Sequence, residues 1–454
     1  MDGRAATPSH LTGNERPRGD STFRARTSTR AFFHPPISVS FRTLLNLSPT
    51  ESAELEIEIR EKENMTTLRQ EFGRPLRLAF IGGGPESWIG FMHRSAAELD
   101  GMFELVAGVF SSDPSRSRDK GVKLGVAADR SYGDIPAMCA GERNREDGID
   151  AIAVMTPNDD HYGHSVLAID AGYDVISDKP ITRTFEQAQD LARRIKAGNR
   201  VYAITHAYSA YPMTRLAASI VRGGEIGKLR YVQVEYIQSG LATALEDGPK
   251  NNRLKWVLDP DRSGIALVMS AIGCHAQHLA CFTCNDRIRD VSADVASLLP
   301  GRQVIDYVAA NLRFEGGAHG TFIATQATAG GENDIRLRIA GDNGVIDWNH
   351  RDASYLKVSI QGEPARVYGR GDTFLAPDIL ASGRAPRGHP EGLREAFANI
   401  YRDAAEDIMA RELGKPRPAP SSYPTIEQGM HTMAFIEACV ASGNNNAQWT
   451  KVAA

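Results

Sequence analysis

The sequence predicts an α/β fold in which a Rossmann-like, doubly wound parallel sheet is followed by an α+β domain with a large, mostly antiparallel open sheet. Between residues 75 and 205, short apolar runs alternate with amphipathic segments, which is the pattern of βαβ units. The first apolar run ends in clustered glycines directly before a helical segment. From about residue 229 the predicted strands follow one another without long helices between them, which indicates an antiparallel sheet.

The length of the chain fits two domains with an extension at each end. A chain of 454 residues exceeds what one hydrophobic core usually serves. We expect a disordered extension or mis-assigned start over 1–74, a dinucleotide-binding Rossmann domain over 75–206, an α+β substrate and oligomerisation domain over 207–440, and a tail over 441–454.

The composition is that of an ordinary soluble protein, with 42% hydrophobic and 24% charged residues. A formal net charge of -4 gives no general attraction to nucleic acid or to an anionic membrane. No apolar run approaches the roughly 18 residues that a membrane-spanning helix needs. Five cysteines, an odd number in a long chain, do not suggest a disulfide framework. We therefore expect a reducing compartment, the cytoplasm.

The N-terminal segment allows two interpretations. Residues 1–45 are rich in arginine and serine and poor in acids, as organelle-targeting segments are. Against this, Asp2 lies near the start, and six glutamates follow between residues 51 and 63. We favour an extension outside the fold, either a disordered tail or an over-extended reading frame whose true start is Met65.

The apolar runs predict five parallel strands, and the segments 86–99 and 161–171 are candidate crossover helices. Thr184 and Gln187 form a capping-box pattern at the start of another helix. The predicted strands cover residues 76–81, 103–110, 151–156, 174–177 and 201–205.

Clustered glycines at Gly82, Gly83 and Gly84 follow the first predicted strand. Glycines let the backbone turn sharply and approach a pyrophosphate, and the next helix offers N–H donors at its N-terminus. Ser87 stands where the strict dinucleotide pattern has its third glycine. No Gly-Lys-Ser/Thr follows, which argues against a nucleotide triphosphatase loop. The position in the first strand–helix unit therefore favours dinucleotide binding over a simple turn.

The end of the second strand bears on the choice between NAD and NADP. An acid there usually holds the adenosine ribose, but this sequence has Ser111 and Ser112, followed by Arg116 and Arg118. Without a carboxylate at this position, and with arginines nearby, the site would tolerate the 2′-phosphate of NADP. We expect NADP or NAD with a slight preference for NADP, and the alternative is that both arginines are solvated charges.

Two further motifs follow predicted strands: the run from Thr156 through Asn158 to His161, and Asp178-Lys179-Pro180. A third motif ends at His275. In this order and spacing, and with the glycine cluster, they resemble the Gfo/Idh/MocA oxidoreductase family over about residues 75–440.

The resemblance implies an NAD(P)-dependent dehydrogenase that interconverts a secondary alcohol and a ketone on a sugar or cyclic polyol. It implies that Lys179 contacts the nicotinamide ribose and the substrate hydroxyl, and that His275 takes the hydroxyl proton. It also places Thr156, Asn158 and His161 at the cofactor, although His161 is equally suited to open a helix.

The sequence departs from the family pattern in places that bear on catalysis. The family motif is Asp-x-Gly-x-His, and Ala271 replaces its aspartate. Ala207 stands after His206 where an asparagine is usual, and we expect His206 and Tyr208 to form part of the substrate pocket wall. Two alternatives follow: a non-catalytic dinucleotide-binding regulator, and a glycoside-processing enzyme that recycles bound NAD(P) through a keto-sugar.

Thiols and imidazoles also cluster within one stretch of eleven residues, which raises the question of a zinc site. On one helix they form a single stripe and do not surround a centre, so we predict buried thiols and no metal. The residues are Cys274, His275, His278, Cys281 and Cys284.

The second domain is predicted to contain strands at 229–238, 290–299, 307–314, 320–326 and 335–340. In the family, one face of this sheet lies toward the cofactor and the other commonly joins subunits. We therefore expect a homo-oligomer, a dimer or tetramer, that binds a small sugar or polyol and neither nucleic acid nor membrane. Residues 256–263 would cover the pocket, and Arg262 would be solvated or, less favoured, bind substrate hydroxyls.

Overall fold

The computed structural model describes residues 67–246, 256–264, 266–417 and 421–453. The N-terminal segment through residue 66, with both of its interpretations, lies outside the described residues. Ordered structure begins before the predicted boundary at residue 75, with helix α1 (Leu68–Phe72). A capping box between Thr67 and Gln70 starts this helix, and it packs against the long helix Leu393–Leu413. Residues 67–74 therefore belong to the fold.

The first sheet has five parallel strands in the order β2-β1-β3-β4-β5, which confirms the predicted doubly wound architecture. The central strand β3 is buried along its whole length because helices cover both faces of the sheet. The strands are β1 (Leu76–Gly82), β2 (Phe103–Val109), β3 (Ala151–Met155), β4 (Asp174–Ser177) and β5 (Tyr202–Ile204). The helices among them are α2 (Trp88–Leu99), α3 (Pro114–Lys123), α4 (Ile135–Arg143), α5 (His161–Asp170) and α6 (Phe185–Gly198).

The second sheet has nine strands in the order β13-β12-β11-β10-β6-β9-β8-β7-β14. Its neighbours are antiparallel except β6 and β9, which run parallel. The strands are β6 (Leu229–Ile237), β7 (Ile288–Ala296), β8 (Tyr307–Phe314), β9 (His319–Thr325), β10 (Asp334–Gly341), β11 (Gly344–Asn349), β12 (Tyr355–Ile360), β13 (Arg366–Gly369) and β14 (Thr450–Lys451). The helices of this half are α7 (Pro212–Arg222), α8 (Pro260–Ser263), α9 (Cys274–Cys284), α10 (Pro377–Ala381), α11 (Leu393–Leu413) and α12 (Ile426–Asn444).

One face of the larger sheet is covered and the other is open. Helix α9 packs on β6, β9 and β10, and α12 packs on β7. Along β10, Ile335, Leu337 and Ile339 are buried, while the intervening Arg336 and Arg338 are exposed. The alternation is that of a sheet with one solvated face.

The two last helices connect the two halves of the molecule. Helix α11 packs on α2, where Tyr401 Oη lies 2.7 Å from His93 Nδ1. Helix α12 packs on α6, and Glu437 Oε1 accepts a hydrogen bond from the Phe185 backbone N–H at 2.8 Å. Helices from the C-terminal part of the chain therefore cover part of the parallel sheet. The predicted domains, 75–206 and 207–440, are contiguous segments and do not describe this packing.

The predicted tail over 441–454 is wrong. Helix α12 continues to Asn444, and β14 pairs with β7 at the edge of the larger sheet. A strand of two residues carries too little hydrophobic pattern to be recognised in the sequence. No helix in the described ranges combines the length and the hydropathy required to cross a membrane.

Candidate active site

The glycine loop after β1 is held tightly against the end of β3. Gly82 and Gly83 have positive φ values of 88° and 67°, which side chains rarely adopt. A Cβ on Gly82 would lie 2.7 Å from the carbonyl oxygen of Met155, the last residue of β3. The absence of side chains here lets the loop turn over the sheet edge and present its backbone to a ligand.

Helix α2 approaches this loop through a glycine that the strict motif does not include. Ser87 caps the helix, and its Oγ accepts a hydrogen bond from the Gly90 N–H at 3.1 Å. A Cβ on Gly90 would lie 2.6 Å from the carbonyl carbon of Gly83. The close helix–loop packing that the third glycine of the motif provides therefore comes from Gly90, three residues after Ser87. The helix N-terminus is left facing the loop, where it favours an anion.

The end of β2 carries two serines, followed by Asp113 and by cations on α3. Asp113 caps α3: it accepts hydrogen bonds from the Arg116 N–H at 2.9 Å and from Ser115 Oγ at 2.7 Å, and these lower the pKa of its carboxyl group. Ser111 and Ser112 precede it in the chain. The Arg116 side chain is largely exposed, 3.8 Å from Asp113.

Lys120 is a cation near the glycine loop that the sequence analysis did not identify. A Cβ on Gly84 would lie 3.4 Å from its Nζ, so the ammonium group sits directly beside the loop. It also lies 3.7 Å from a carboxylate oxygen of Glu86. Its position four residues after Arg116, on the helix that follows the serines, is the signal that could have identified it.

A cavity of about 930 Å³ lies at the carboxyl ends of β1, β3 and β4, between the two sheets. Of the predicted site residues, Thr156, Asn158, Lys179, Tyr208 and His275 line this cavity together. It extends to Ser87 and Trp88 at the start of α2. Ligands of open α/β sheets bind at this edge. The predicted catalytic pair, Lys179 and His275, shares the cavity with the start of α2, whereas Gly82, Gly83 and Gly84 are not in its described lining.

Lys179 is oriented by the main chain at the position of the substituted aspartate. Its Nζ donates a hydrogen bond to the carbonyl oxygen of Ala271 at 2.7 Å. That carbonyl belongs to a π-helical turn, Met269–Gly273, directly before α9. Such turns are frequent at functional sites. The methyl side chain of Ala271 also lines the cavity, so a short apolar group stands where the family has a carboxylate.

The environment of His275 favours the neutral form of its imidazole. Burial lowers the pKa of its imidazole well below the usual value, and the charge of Lys179 and the neighbouring His278 lower it further. Its Nδ1 is buried without a hydrogen-bond partner among the described residues. His275 lines the cavity, and Tyr208 packs edge-on against its ring at a centroid distance of 5.1 Å.

Two histidines predicted at the site do not line the cavity. His206 is buried behind it, stacked on His278 at a centroid distance of 4.6 Å and edge-on to His275 at 5.4 Å. His161 is also buried: its Nδ1 lies 2.6 Å from the Pro180 carbonyl oxygen and its Nε2 lies 2.7 Å from that of Thr156. The expected substrate contact of His206 and cofactor contact of His161 are corrected to supporting positions: the His161 ring contacts carbonyl groups of the loops after β3 and β4, and the His206 ring packs on two histidines of α9.

Residues 256–263 lie at the cavity as predicted, with Trp256 and Val257 in its lining. The Arg262 side chain is 42% exposed, in agreement with the favoured prediction of a solvated arginine, and it is not in the described lining of the cavity. Its Nε donates to Asp159 Oδ2 at 2.9 Å, which joins this segment to the loop after β3.

In α9, Cys274 and Cys284 are buried and Cys281 is partly exposed; burial raises the pKa of Cys274 to about 11. Cys274 Sγ donates to the Ser270 carbonyl oxygen at 3.2 Å. Within the part of the chain that the structure describes, no three His, Cys, Asp or Glu side chains are grouped so as to hold a metal ion.

The wall of the cavity opposite Lys179 consists of uncharged polar side chains that the sequence analysis missed. Gln238 and Gln326 follow β6 and β9, and Asn333 precedes β10. Because β6 and β9 are parallel, their carboxyl ends lie at one edge of the sheet, where antiparallel β10 begins. A mostly antiparallel sheet, as predicted from the sequence, gives no reason to expect the carboxyl ends of β6 and β9 at the same edge.

Comparisons with known proteins agree with this architecture. The family model for the oxidoreductase family with an NAD-binding Rossmann fold matches residues 76–206, and the GFO/IDH/MocA C-terminal domain matches residues 214–347. The chain is 32% identical to the uncharacterized oxidoreductase YfiI of Bacillus subtilis, covering 83% of this chain and 97% of that protein.

Solved structures resemble the whole described fold. An inositol dehydrogenase homologue from Azotobacter vinelandii, complexed with NAD+, superposes with a TM-score of 0.81 at 33% identity, covering 85% of this chain and 100% of that one. An oxidoreductase from Sinorhizobium meliloti gives a TM-score of 0.74 at 36% identity, covering 83% and 100%. The identity and coverage confirm the resemblance seen in the motifs. The chain belongs to the Gfo/Idh/MocA family and is an oxidoreductase with an NAD-binding Rossmann domain.

Proposed function

We propose that this oxidoreductase interconverts a secondary alcohol and a ketone on a sugar or cyclic polyol. The observation that carries the proposal is that Lys179 and His275 line one cavity with the start of α2. A relative from Azotobacter vinelandii with 32% identity has been solved with NADH and myo-inositol, which supports this substrate class.

The residues around the glycine loop fit a dinucleotide. Gly82 and Gly83 would let the pyrophosphate approach the backbone, and the N-terminus of α2 would face its charge. Thr156 and Asn158, which line the cavity, would hold the nicotinamide end. When bound, the dinucleotide accepts or donates a hydride at the substrate carbon.

His275 would take the hydroxyl proton as the carbon is oxidised, and return it in the reverse direction. A neutral imidazole is required for this step, and burial keeps the ring in that state. The ammonium group of Lys179 would stabilise negative charge on the same oxygen. Its hydrogen bond to the Ala271 carbonyl fixes the position of that charge without neutralising it.

The choice of nucleotide is a separate proposal, with a slight preference for NADP over NAD. It is supported by Ser111 and Ser112 in place of an acid, by Asp113 being engaged at its own helix, and by Lys120 and Arg116 nearby. The 33%-identical relative was solved with NAD+, which supports the alternative. Fluorescence titration with NADH and NADPH decides between them.

Turnover on a panel of inositols, aldoses and glycosides tests the reaction. Net nucleotide reduction or oxidation on a member of the panel supports the dehydrogenase. Tight nucleotide binding with no reaction on any compound would instead indicate a regulator, which the substitution at Ala271 favours. Product formation from a glycoside without net change in nucleotide redox state would indicate the recycling enzyme.

We also propose that the protein is a homo-oligomer and that it is located in the cytoplasm. The open face of the larger sheet is available for pairing with a second copy, and light scattering would show the predicted dimer or tetramer. All five cysteines are free, as expected in the cytoplasm, and fractionation of cells would test that location.

A further inference from the structure

The side of the cavity that faces Lys179 and His275 is a continuous network of neutral hydrogen-bonding groups, here called the amide wall: Tyr208, Tyr236, Gln238, Gln326 and Asn333. All five side chains line the cavity. Each takes part in at least one hydrogen bond within the set. The wall touches the catalytic region directly, since Tyr208 and Tyr236 both pack against the His275 ring.

The network is organised around Asn333 and the two tyrosines. Tyr208 Oη and Tyr236 Oη are 2.6 Å apart, Tyr236 donates to Asn333 Oδ1 at 2.6 Å, and Asn333 Nδ2 donates to Tyr208 Oη at 2.8 Å. Gln326 Nε2 donates to Gln238 Oε1 at 3.0 Å, and Gln238 in turn donates to Tyr236 at 3.2 Å. These bonds leave little freedom to reorient the amides.

The groups that remain available are both donors and acceptors. Asn333 and Gln326 each have one N–H without a partner among the described residues, and Gln326 Oε1 has no donor there. A hydroxyl group can donate to such an acceptor and accept from such a donor. A carboxylate or phosphate can only accept, so it would meet carbonyl oxygens that it cannot bond.

The charges around the cavity also disfavour an anion. Its described lining contains one cation, Lys179, and two carboxylates, Glu86 and Asp178. In the proposed reaction the charge of Lys179 acts on the hydroxyl oxygen of the carbon that is being oxidised. Among the residues that the structure describes, a second negative group on the substrate would have no cation of its own when it is removed from water.

We propose that the amide wall selects an uncharged polyhydroxylated ring, with Gln326 and Asn333 as specificity-determining residues that reject uronates and sugar phosphates. This inference rests on the proposed function, because it names the substrate class of the same site. It extends that proposal by assigning the discrimination between neutral and anionic substrates to residues of the second sheet that no motif identifies.

The test compares matched neutral and anionic substrates: D-glucose with D-glucuronate, and myo-inositol with myo-inositol 1-phosphate. Wild-type kcat/KM should favour the neutral member of a pair by at least about 100-fold. Comparable kcat/KM values within each pair would overturn the inference and leave the proposed function standing. Absence of turnover on every neutral polyol and sugar, with nucleotide still bound, would overturn the proposed function itself.

The variant Gln326→Lys examines the assigned residue. An added cation should raise the anionic-to-neutral ratio of kcat/KM about tenfold. The matched control is Gln361→Lys, because Gln361 is exposed at a turn outside the cavity. An unchanged ratio in a Gln326→Lys protein that binds nucleotide normally would overturn the assignment; if that variant does not fold, the wild-type comparison still decides the substrate class.

Discussion

The contact between Gly90 and Gly83 offers a direct test of the glycine loop. In Gly90→Ala, the new Cβ would lie 2.6 Å from both the carbonyl carbon and the Cα of Gly83, and these are backbone atoms that cannot rotate away. The helix and loop must therefore separate by roughly 1 Å. Overpacking of this kind costs about 1–3 kcal/mol. Because Gly90 has no positive φ, the strain comes from the contact and not from the backbone conformation of residue 90.

We expect the free protein to relieve this strain by shifting the glycine loop. Because a bound nucleotide requires the original loop geometry, the free-energy cost of the overpacking then weakens nucleotide binding. The nucleotide Kd should then rise by about 5- to 150-fold, since a factor of ten corresponds to about 1.4 kcal/mol. Titration of protein fluorescence with NADH and NADPH measures this change.

The matched control is Gly163→Ala. Gly163 also lies in a helix, α5, but a Cβ there would meet nothing within 4 Å. Alanine should be accepted and should stabilise the helix by up to about 1 kcal/mol. Equal nucleotide affinities for the two variants, each shown to be folded by circular dichroism, would refute the role assigned to Gly90.

Three further predictions address the proton, the nucleotide and the segment over the cavity. Burial lowers the pKa of His275 well below 6.5, and the proposed base must be neutral to accept a proton. Activity should therefore persist as the pH falls through 6.5 and decline only below that value. A pH profile of kcat/KM that loses activity with an apparent pKa of 6.5 or above would contradict this prediction. Lys120→Ala should weaken NADPH binding by about tenfold and NADH binding less, measured by parallel titrations; equal losses would remove the lysine from 2′-phosphate recognition. Arg262→Ala removes a partly exposed ion pair with Asp159 and should raise the KM for substrate about two- to fivefold, with little change in nucleotide Kd. An unchanged KM would show that this ion pair does not hold residues 256–263 at the cavity.

The five strands of the first sheet, and the placement of Lys179 and His275 at one cavity, could be predicted from the sequence because their signals are local. A strand, a glycine cluster and a helix are adjacent in the chain, and Lys179 follows a buried strand directly. The predicted and observed bounds of the first five strands agree to within one residue at each end.

The remaining features depend on contacts between distant segments. Gln238, Gln326 and Asn333 meet because β6 and β9 are parallel, a pairing that hydrophobic alternation does not reveal. The positions of His161 and His206 in motifs suggested ligand contacts, but both rings are buried against carbonyl groups or other rings. Gly90 lies outside the spacing of the standard dinucleotide motif. Only its short distance to Gly83 shows that it allows the close packing of α2 on the glycine loop.

The central claim is that a bound nucleotide and a polyol meet between Lys179 and His275. The most direct measurement is steady-state nucleotide reduction with an active neutral polyol by wild type, Lys179→Ala and His275→Ala, with nucleotide Kd determined for each. The account predicts turnover lowered by about 100-fold or more in both variants while the nucleotide Kd stays within about threefold of wild type. Wild-type turnover in either variant would contradict it.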